Sequence, residues 1–445
     1  MRKSKHAGLT VEALHQAMPF LSATSTVWVA YSGGCDSHVL LHLLAQLRQT
    51  QTFELKAVYV NHGLGPNAVA WGEHCQQVCD DLNVAFVSLQ VDATAQNGES
   101  PEAAARNARY QAITDLLQRD EYLCTAHHQD DQAETLLLQL LRGAGPKGLA
   151  GMPQASSLGK ATQLRPLLGF SQAQLKSYSE QHGLSWIEDE SNCDTGFNRN
   201  YLRHEIMPLL RQRWPSADAT LARSANNCAE AAELIEVLAE QDYQQVKAEA
   251  STELLISNLL KLDKARLKNV LRYWIRLADL PLPSDKKLQH ITSDVLHAAE
   301  DKTPLVHWSG AEVRRFNGRL YVMSPLPEFD CSQVILWEDV EQPLQLPDGS
   351  QLVCEQTIHY PALSLDYLKR GRVTVRFRQG GEVCQPAGSQ HHKNLKQLFQ
   401  EHQVPPWRRS RTPLLYVDNS LTAVIGVCLG NEGVTSSGLA VTHFR

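Results

Sequence analysis

Four short apolar runs, Val27–Tyr31, Leu55–Val60, Val84–Val91 and Tyr122–Ala126, alternate with helical periodicity at Val39–Arg48, Ala68–Asp81, Pro101–Gln118 and Gln129–Leu141. Strands separated by helices cannot pair as hairpins. Each must return by a crossover, which makes the sheet parallel and covers both of its faces. A further strand at Leu164–Leu168 and a helix at Gln172–His182 extend the pattern, and this α/β unit is expected to end near Trp214-Pro215. In such a sheet, ligands bind beyond the carboxyl ends of the strands.

At the first of those ends lies Ser32-Gly33-Gly34-Cys35-Asp36-Ser37, between an apolar run and a helical pattern. Two glycines alone mark a tight turn. Two glycines flanked by hydroxyls at a helix N-terminus make a phosphate cradle, because close backbone approach, free amides and the helix dipole all favour an anion. Asp36 adds a hard oxygen ligand suited to Mg2+. No G-x-x-x-x-G-K-[ST] occurs in the chain, so the cradle is expected to grip the nucleotide differently from a γ-phosphate loop.

A second cluster, Thr125–Thr135, follows the fourth apolar run and contains His127, His128, Asp130, Asp131 and Glu134. Asp131 and Glu134 are three apart and share a helix face. Acidic residues in a first turn are ordinary capping chemistry. Facing a phosphate cradle, the pair can equally hold Mg2+ or a substrate ammonium group; half of a zinc-type spacing is missing. Arg106, on a helix opening at Pro101, reads either as the i,i+4 partner of Glu102 or as a bidentate anion ligand. Arg142–Met152 is glycine-dense and is expected to form a mobile loop over the site.

At 445 residues the chain exceeds one ordinary domain. From Ser216 to about Ala278 an alanine- and leucine-rich 3.6 periodicity predicts a helical arm, with a shorter helix near Asp285–Ala299. After Val306 short strands follow, with hairpin signals at Asn317-Gly318 and Asp348-Gly349, and one helix at Asn394–His402. No basic leader continues into an apolar core and no run approaches the roughly 20 residues of a membrane span, so a cytoplasmic, non-membrane protein is expected. Ten scattered cysteines suit a reducing compartment. The net charge of −6 hides an asymmetry: Asp366–Arg411 carries ten Lys and Arg residues against three acids, a footprint for a polyanion or a solvated basic face. Trp407, beside Arg408 and Arg409, is expected to stack on an exposed base.

Taken together, these segments resemble the tRNA(Ile)-lysidine synthases, a branch of the N-type ATP pyrophosphatases. The motifs are S-G-G-C-D-S at Ser32–Ser37, V-N-H-G-L at Val60–Leu64, E-x-x-x-R-N-x-R-Y at Glu102–Tyr110 and A-H-H-x-D-D-x-A-E-T at Ala126–Thr135. L-R-G-A-G-x-x-G-L-x-G-M at Leu141–Met152, R-P-L-L at Arg165–Leu168, W-x-E-D-x-S-N at Trp186–Asn192 and R-N-x-x-R at Arg199–Arg203 continue the likeness. V-R-F-R-x-G-G-E at Val375–Glu382 and K-N-L-K-Q-L-F at Lys393–Phe399 carry it into the tail.

The resemblance implies an enzyme that uses ATP and Mg2+ to join free L-lysine to the wobble cytidine of an isoleucine tRNA with a CAU anticodon. It implies a Rossmann-like domain over 1–215, a mainly helical tRNA-binding domain over 216–330 and an α+β tRNA-binding domain over 331–445, with a homodimer left open. By position, Ser32, Gly33, Gly34, Cys35, Asp36, Ser37, His62, His127 and His128 bind ATP, Asp36 being the metal ligand. Arg106, Asp131 and Glu134 meet lysine. Arg199, Arg203, Arg376, Arg378, Lys393, Lys396, Arg408 and Arg409 meet tRNA. Sulfur-inserting relatives usually carry C-x-x-C pairs and amidating relatives a glutaminase domain; neither is apparent. A nucleotide-fold scaffold without activity is disfavoured by the intact Asp36, Asp131 and Glu134.

Overall fold

The strand Thr26–Ala30 (β1) shows why the first unit folds as it does. Val27, Val29 and the adjoining Tyr31 pack into one apolar cluster, while Trp28 and Ala30 join another on the opposite face. A strand apolar on both faces must lie inside a two-sided sheet. In the computed structural model, which describes residues 8–18, 21–61, 68–92, 94, 101–189, 193–249, 251–299 and 302–444, it does. The chain divides into two compact units, Met1–Glu236 and Val237–Arg445.

The first unit runs α1 (Val11–Gln16), β1, α2 (Cys35–Leu47), β2 (Glu54–Asn61), α3 (Ala68–Asp81), β3 (Ala85–Gln90), α4 (Pro101–Leu116), β4 (Tyr122–Cys124) and α5 (Gln129–Leu141). It continues through α6 (Pro146–Leu149), β5 (Ala155–Leu158), β6 (Ala161–Leu164), α7 (Gln172–Gln181), α8 (Asn198–Tyr201) and α9 (Met207–Arg213). The sheet order is β3-β2-β1-β4-β6-β5. All neighbours are parallel except β5, which pairs antiparallel with β6. This is the expected parallel Rossmann-like architecture. The chain leaves β1 toward β2 on one side and later returns to β4 on the other, so β1 and β4 flank the topological switch point.

One local expectation is corrected. The strand expected at Leu164–Leu168 ends at Leu164, and residues 166–169 turn instead. Pro166 donates no ladder hydrogen bond, while Ala161–Leu164 is paired on both sides. The glycine-dense segment contains the helical turn α6, and Gln132 ties its end down, accepting from Met152 N at 2.7 Å and donating to Met152 O at 2.8 Å.

The 30-residue helix α10, Ala217–Val246, contains the division between the units. In the second unit, helix Lys264–Leu277 buries Leu267, Val270, Leu271, Trp274 and Ile275 along one stripe. The hairpin Ala311–Phe316/Arg319–Met323 turns at Asn317 and Gly318, both with positive φ as a two-residue turn requires. Two five-stranded sheets follow. One holds Val373–Arg376 between Val334–Leu336 and Leu414–Val417; the other pairs Gln351–Thr357 with the C-terminal strand Gly438–Phe444. Among the described residues, no helix is long and apolar enough to cross a membrane.

Candidate active site

β1 delivers the chain to Ser32 at its carboxyl end. Gly33 has φ +79°, and a Cβ there would lie 2.7 Å from Ile187 Cδ1 and 3.0 Å from Cys75 Sγ, so only glycine fits. Ile187 N in turn donates to Gly33 O at 2.9 Å. Gly34 is the N-cap of α2 and supplies no capping side chain, which leaves the first-turn amides available to an anion. Ser32 and Ser37 hydroxyls lie 3.1 Å apart, and Ser37 Oγ donates to Gly34 O at 3.0 Å, closing the loop on itself. Cys35 donates its thiol to Ser179 Oγ at 3.5 Å, and burial pushes its pKa up, so it stays protonated. The sequence did not single out His38, whose Nδ1 lies 2.7 Å from Ser185 O and anchors the 185–187 segment against the loop.

β4, adjacent to β1, delivers the second cluster to the same edge. His128 caps α5, with its backbone N donating to Asp131 Oδ2 at 3.0 Å. Its side chain is 2% exposed and sits among three carboxylates: Nε2 is 3.4 Å from Asp36 Oδ2 and 3.5 Å from Asp131 Oδ2, and Nδ1 is 3.8 Å from Asp130 Oδ1. Burial opposes a charge on this imidazole, but Asp36, Asp131 and Asp130 outweigh it and raise its pKa. The neighbouring His127 behaves oppositely. Burial first, and then the charges of Arg165, Arg199 and Arg106 over the opposing pull of Asp131, push it down to about 4. Its Nδ1 lies 2.9 Å from Thr125 Oγ1. Two adjacent histidines are thus shifted in opposite directions.

Asp131 and Glu134 do share a face, and that face is already engaged. Arg199 contacts Asp131 Oδ1 through Nη2 and Glu134 Oε2 through Nε, both at 2.9 Å. Arg203 contacts Glu134 Oε1 through Nε at 2.7 Å and Asp131 Oδ1 through Nη2 at 3.0 Å. The arginines stand on α8 and on the π-helical turn Leu202–Ile206 that follows it, four residues apart and on one side. Such turns widen a helix locally and recur at functional sites. Buried Asp131 is held below the usual carboxylate range: desolvation works against ionisation, and His128 and the arginines overcome it. Behind this cluster, Asp130 binds Arg211 at 2.8 Å, and Arg211 also clasps Asp218.

Arg106 is exposed, stacks 5.1 Å over Tyr110, and stands near enough to depress His127 and Arg165. Arg165, which the sequence marked only as part of R-P-L-L, is buried beside His127 and bonded to Pro153 O, Ser156 Oγ and Gln163 Oε1. His62 lies outside the described residues.

The basic tail residues diverge from one another. Lys396 and Arg408 are exposed. Lys393 pairs with Glu401 at 2.8 Å. Arg376 stacks 4.4 Å over Tyr416 and donates to Asp418 O at 2.8 Å. Arg378 lies 6.0 Å over Phe399, and Arg409 donates to Val404 O at 2.9 Å. Trp407 does not present an exposed face as expected. It is 9% exposed, packed edge-on against Tyr321 and Phe316 with Arg314 above the ring.

Comparison with known proteins adds three family matches: a PP-loop domain at residues 8–210, the TilS substrate binding domain at 254–321 and the TilS substrate C-terminal domain at 373–443. The chain is 45% identical to a tRNA(Ile)-lysidine synthase of Coxiella burnetii, over 96% of this chain and 94% of that one. It is 44% identical to that of Methylococcus capsulatus, over 90% and 91% of the two chains. It is 40% identical to that of Pectobacterium atrosepticum, over 95% and 94%. The match to the PP-loop domain supports the use of ATP.

Proposed function

This chain belongs to the tRNA(Ile)-lysidine synthase family, and from that premise we propose that it ligates L-lysine to C2 of the wobble cytidine of a CAU-anticodon tRNA at the expense of ATP. It is a ligase that forms a carbon–nitrogen bond, acting in the cytoplasm. The C2 carbonyl oxygen attacks the α-phosphorus and pyrophosphate leaves; the lysine ε-amine, having shed a proton, then attacks C2 and AMP leaves with that oxygen. The product reads AUA instead of AUG and accepts isoleucine instead of methionine.

The observation that carries this reading is the bridge from Asp36 through His128 to Asp131, which brings a phosphate cradle and a cation-binding carboxylate pair to one edge of the sheet. Ser32 to Ser37 would hold the phosphates. The region fits Mg2+ arriving with ATP: Asp36 offers one partly exposed carboxylate, and among the described residues no cluster of three or more ligating side chains forms a cage. Bound there, Mg2+ would offset phosphate charge. Asp131 and Glu134 would receive the lysine ammonium, with Arg106 nearby for its carboxylate. Residues 1–215 would perform the chemistry, and 216–330 and 331–445 would hold the tRNA.

Incubation with tRNA, ATP and lysine followed by mass analysis of the wobble nucleoside tests the reading. Lysine added to cytidine with loss of water is expected; an unmodified cytidine with a competent tRNA overturns it.

A further inference from the structure

A cavity of about 140 Å³ lies in the second unit, built by three separate stretches of chain. Thr252 and Glu253 form one wall, fixed by Trp274 Nε1, which donates to Thr252 O at 2.7 Å. Tyr321, Val322 and Met323, with Leu326, form the apolar floor. Trp407, Arg408 and Arg411 complete it. Cavities of about this size take up a single aromatic ring such as benzene.

Two of the lining residues carry a buried polar atom without a hydrogen-bond partner: Trp407 Nε1, a donor only, and Glu253 Oε2, an acceptor. Leaving either unpaired is costly, so a pocket whose walls strand one of each is suited to a ligand that offers both an acceptor and a donor. The charge balance sets the rest. Two guanidiniums against one carboxylate favour a ligand with negative charge and disfavour a free cation. Arg411 is held by Pro327 O and lies 4.8 Å over Phe329, while Arg408 is exposed at the rim.

We propose that this cavity receives one unstacked nucleobase of the tRNA, with its exocyclic amine on Glu253 Oε2, its adjacent ring acceptor on Trp407 Nε1 and its phosphate at Arg408. Cytosine and adenine present that pair on their Watson–Crick edge; carboxylates accept readily from the cytosine amine. Unpaired bases splayed from the stack and read on such edges are the usual basis of sequence-dependent RNA recognition. The Trp407 indole thus works through its N–H and not as an open stacking platform. The assignment rests on tRNA being the substrate.

The full-length protein labelled with 15N at its tryptophan indoles tests the pocket directly, the Trp407 resonance being assigned by its loss in Trp407→Phe. Titration with CMP or AMP is expected to move that resonance, UMP to leave it in place, and Glu253→Gln to abolish the CMP response. Trp407→Phe, which keeps an aromatic ring and removes the indole N–H, and Arg408→Ala, which alters an exposed side chain, are each expected to weaken tRNA affinity about tenfold. An unmoved Trp407 resonance at millimolar CMP and AMP, or unchanged tRNA affinity in both variants, overturns the proposal. A wild-type protein that forms no lysidine yet shows the CMP response would refute the functional reading and leave the pocket standing.

Discussion

Arg203 grips Glu134 through two nitrogens, Nε at 2.7 Å from Oε1 and Nη2 at 2.9 Å from Oε2, and Glu134 is 1% exposed. With Arg199 on Asp131 and Glu134, two guanidiniums neutralise two carboxylates. A lysine ammonium arriving at the proposed site therefore meets an internally paired cluster. It must displace one arginine side chain or share its partner. The arginines, grouped with tRNA by resemblance, sit in this structure on the carboxylates grouped with lysine.

Asp131→Asn and Glu134→Gln are accordingly expected to raise the lysine KM far more than the ATP dissociation constant, and to destabilise the fold as well. Breaking a fully buried pair costs about 3–5 kcal/mol; with arginines about one quarter exposed, a loss of about 2–3 kcal/mol is expected. Urea unfolding beside steady-state kinetics separates the two effects. Weak ATP binding with an unchanged lysine KM would reassign the pair to the metal.

Asp36→Asn is expected to abolish AMP formation while leaving the fold intact, since the carboxylate is partly exposed in the first turn of α2 and contributes little packing. It should also lower the pKa of His128, because Asp36 is one of the charges that raise it. Pyrophosphate release and an imidazole NMR titration report the two outcomes; near-normal turnover at saturating Mg2+ removes Asp36 from the mechanism.

The paired histidines predict opposite limbs of a stability profile. The folded pKa of His128 is raised above 6.5, so its contribution is full below 6.5 and is lost as pH rises through the folded value. His127 is depressed to about 4, so its contribution is full above 6.5 and is lost as pH falls through about 4. His128→Gln should flatten the alkaline limb and His127→Gln the acid limb of the urea midpoint plotted against pH. The same limb lost in both variants would contradict the assignment.

In the basic tail, exposure separates electrostatic from structural residues. Lys396→Ala is expected to leave stability unchanged and to reduce the slope of log affinity for tRNA against log salt by about 0.7–0.9. Arg376→Ala should instead cost stability, about 1 kcal/mol, through its stacking on Tyr416 and its bond to Asp418 O. Binding titrations at several salt concentrations and thermal melts check both. Cutting the chain at Ser364 is unsuited to the purpose, because Gln351–Thr357 would lose its partner strand Gly438–Phe444.

Local periodicity was enough to specify the parallel sheet, the helices α3 and α5 to the residue, and the strand-to-helix turn at Ser32–Ser37, because each depends on neighbours a few residues apart. Asp131 and Glu134 could be placed on one helix face for the same reason. What occupies that face could not: Arg199 and Arg203 arrive from more than 60 residues away, and only the packing of α8 and its π turn against α5 makes them partners. The opposite pKa shifts of His127 and His128 depend likewise on which distant groups surround each ring. Trp407 shows the converse. Its basic neighbours read as an exposed stacking site, whereas Phe316, Tyr321 and Arg314 close around it from another hairpin. Burial and pairing are sums over contacts distant in sequence, so the chain's local pattern named the chemistry and the tertiary structure decided which groups are charged, paired or enclosed.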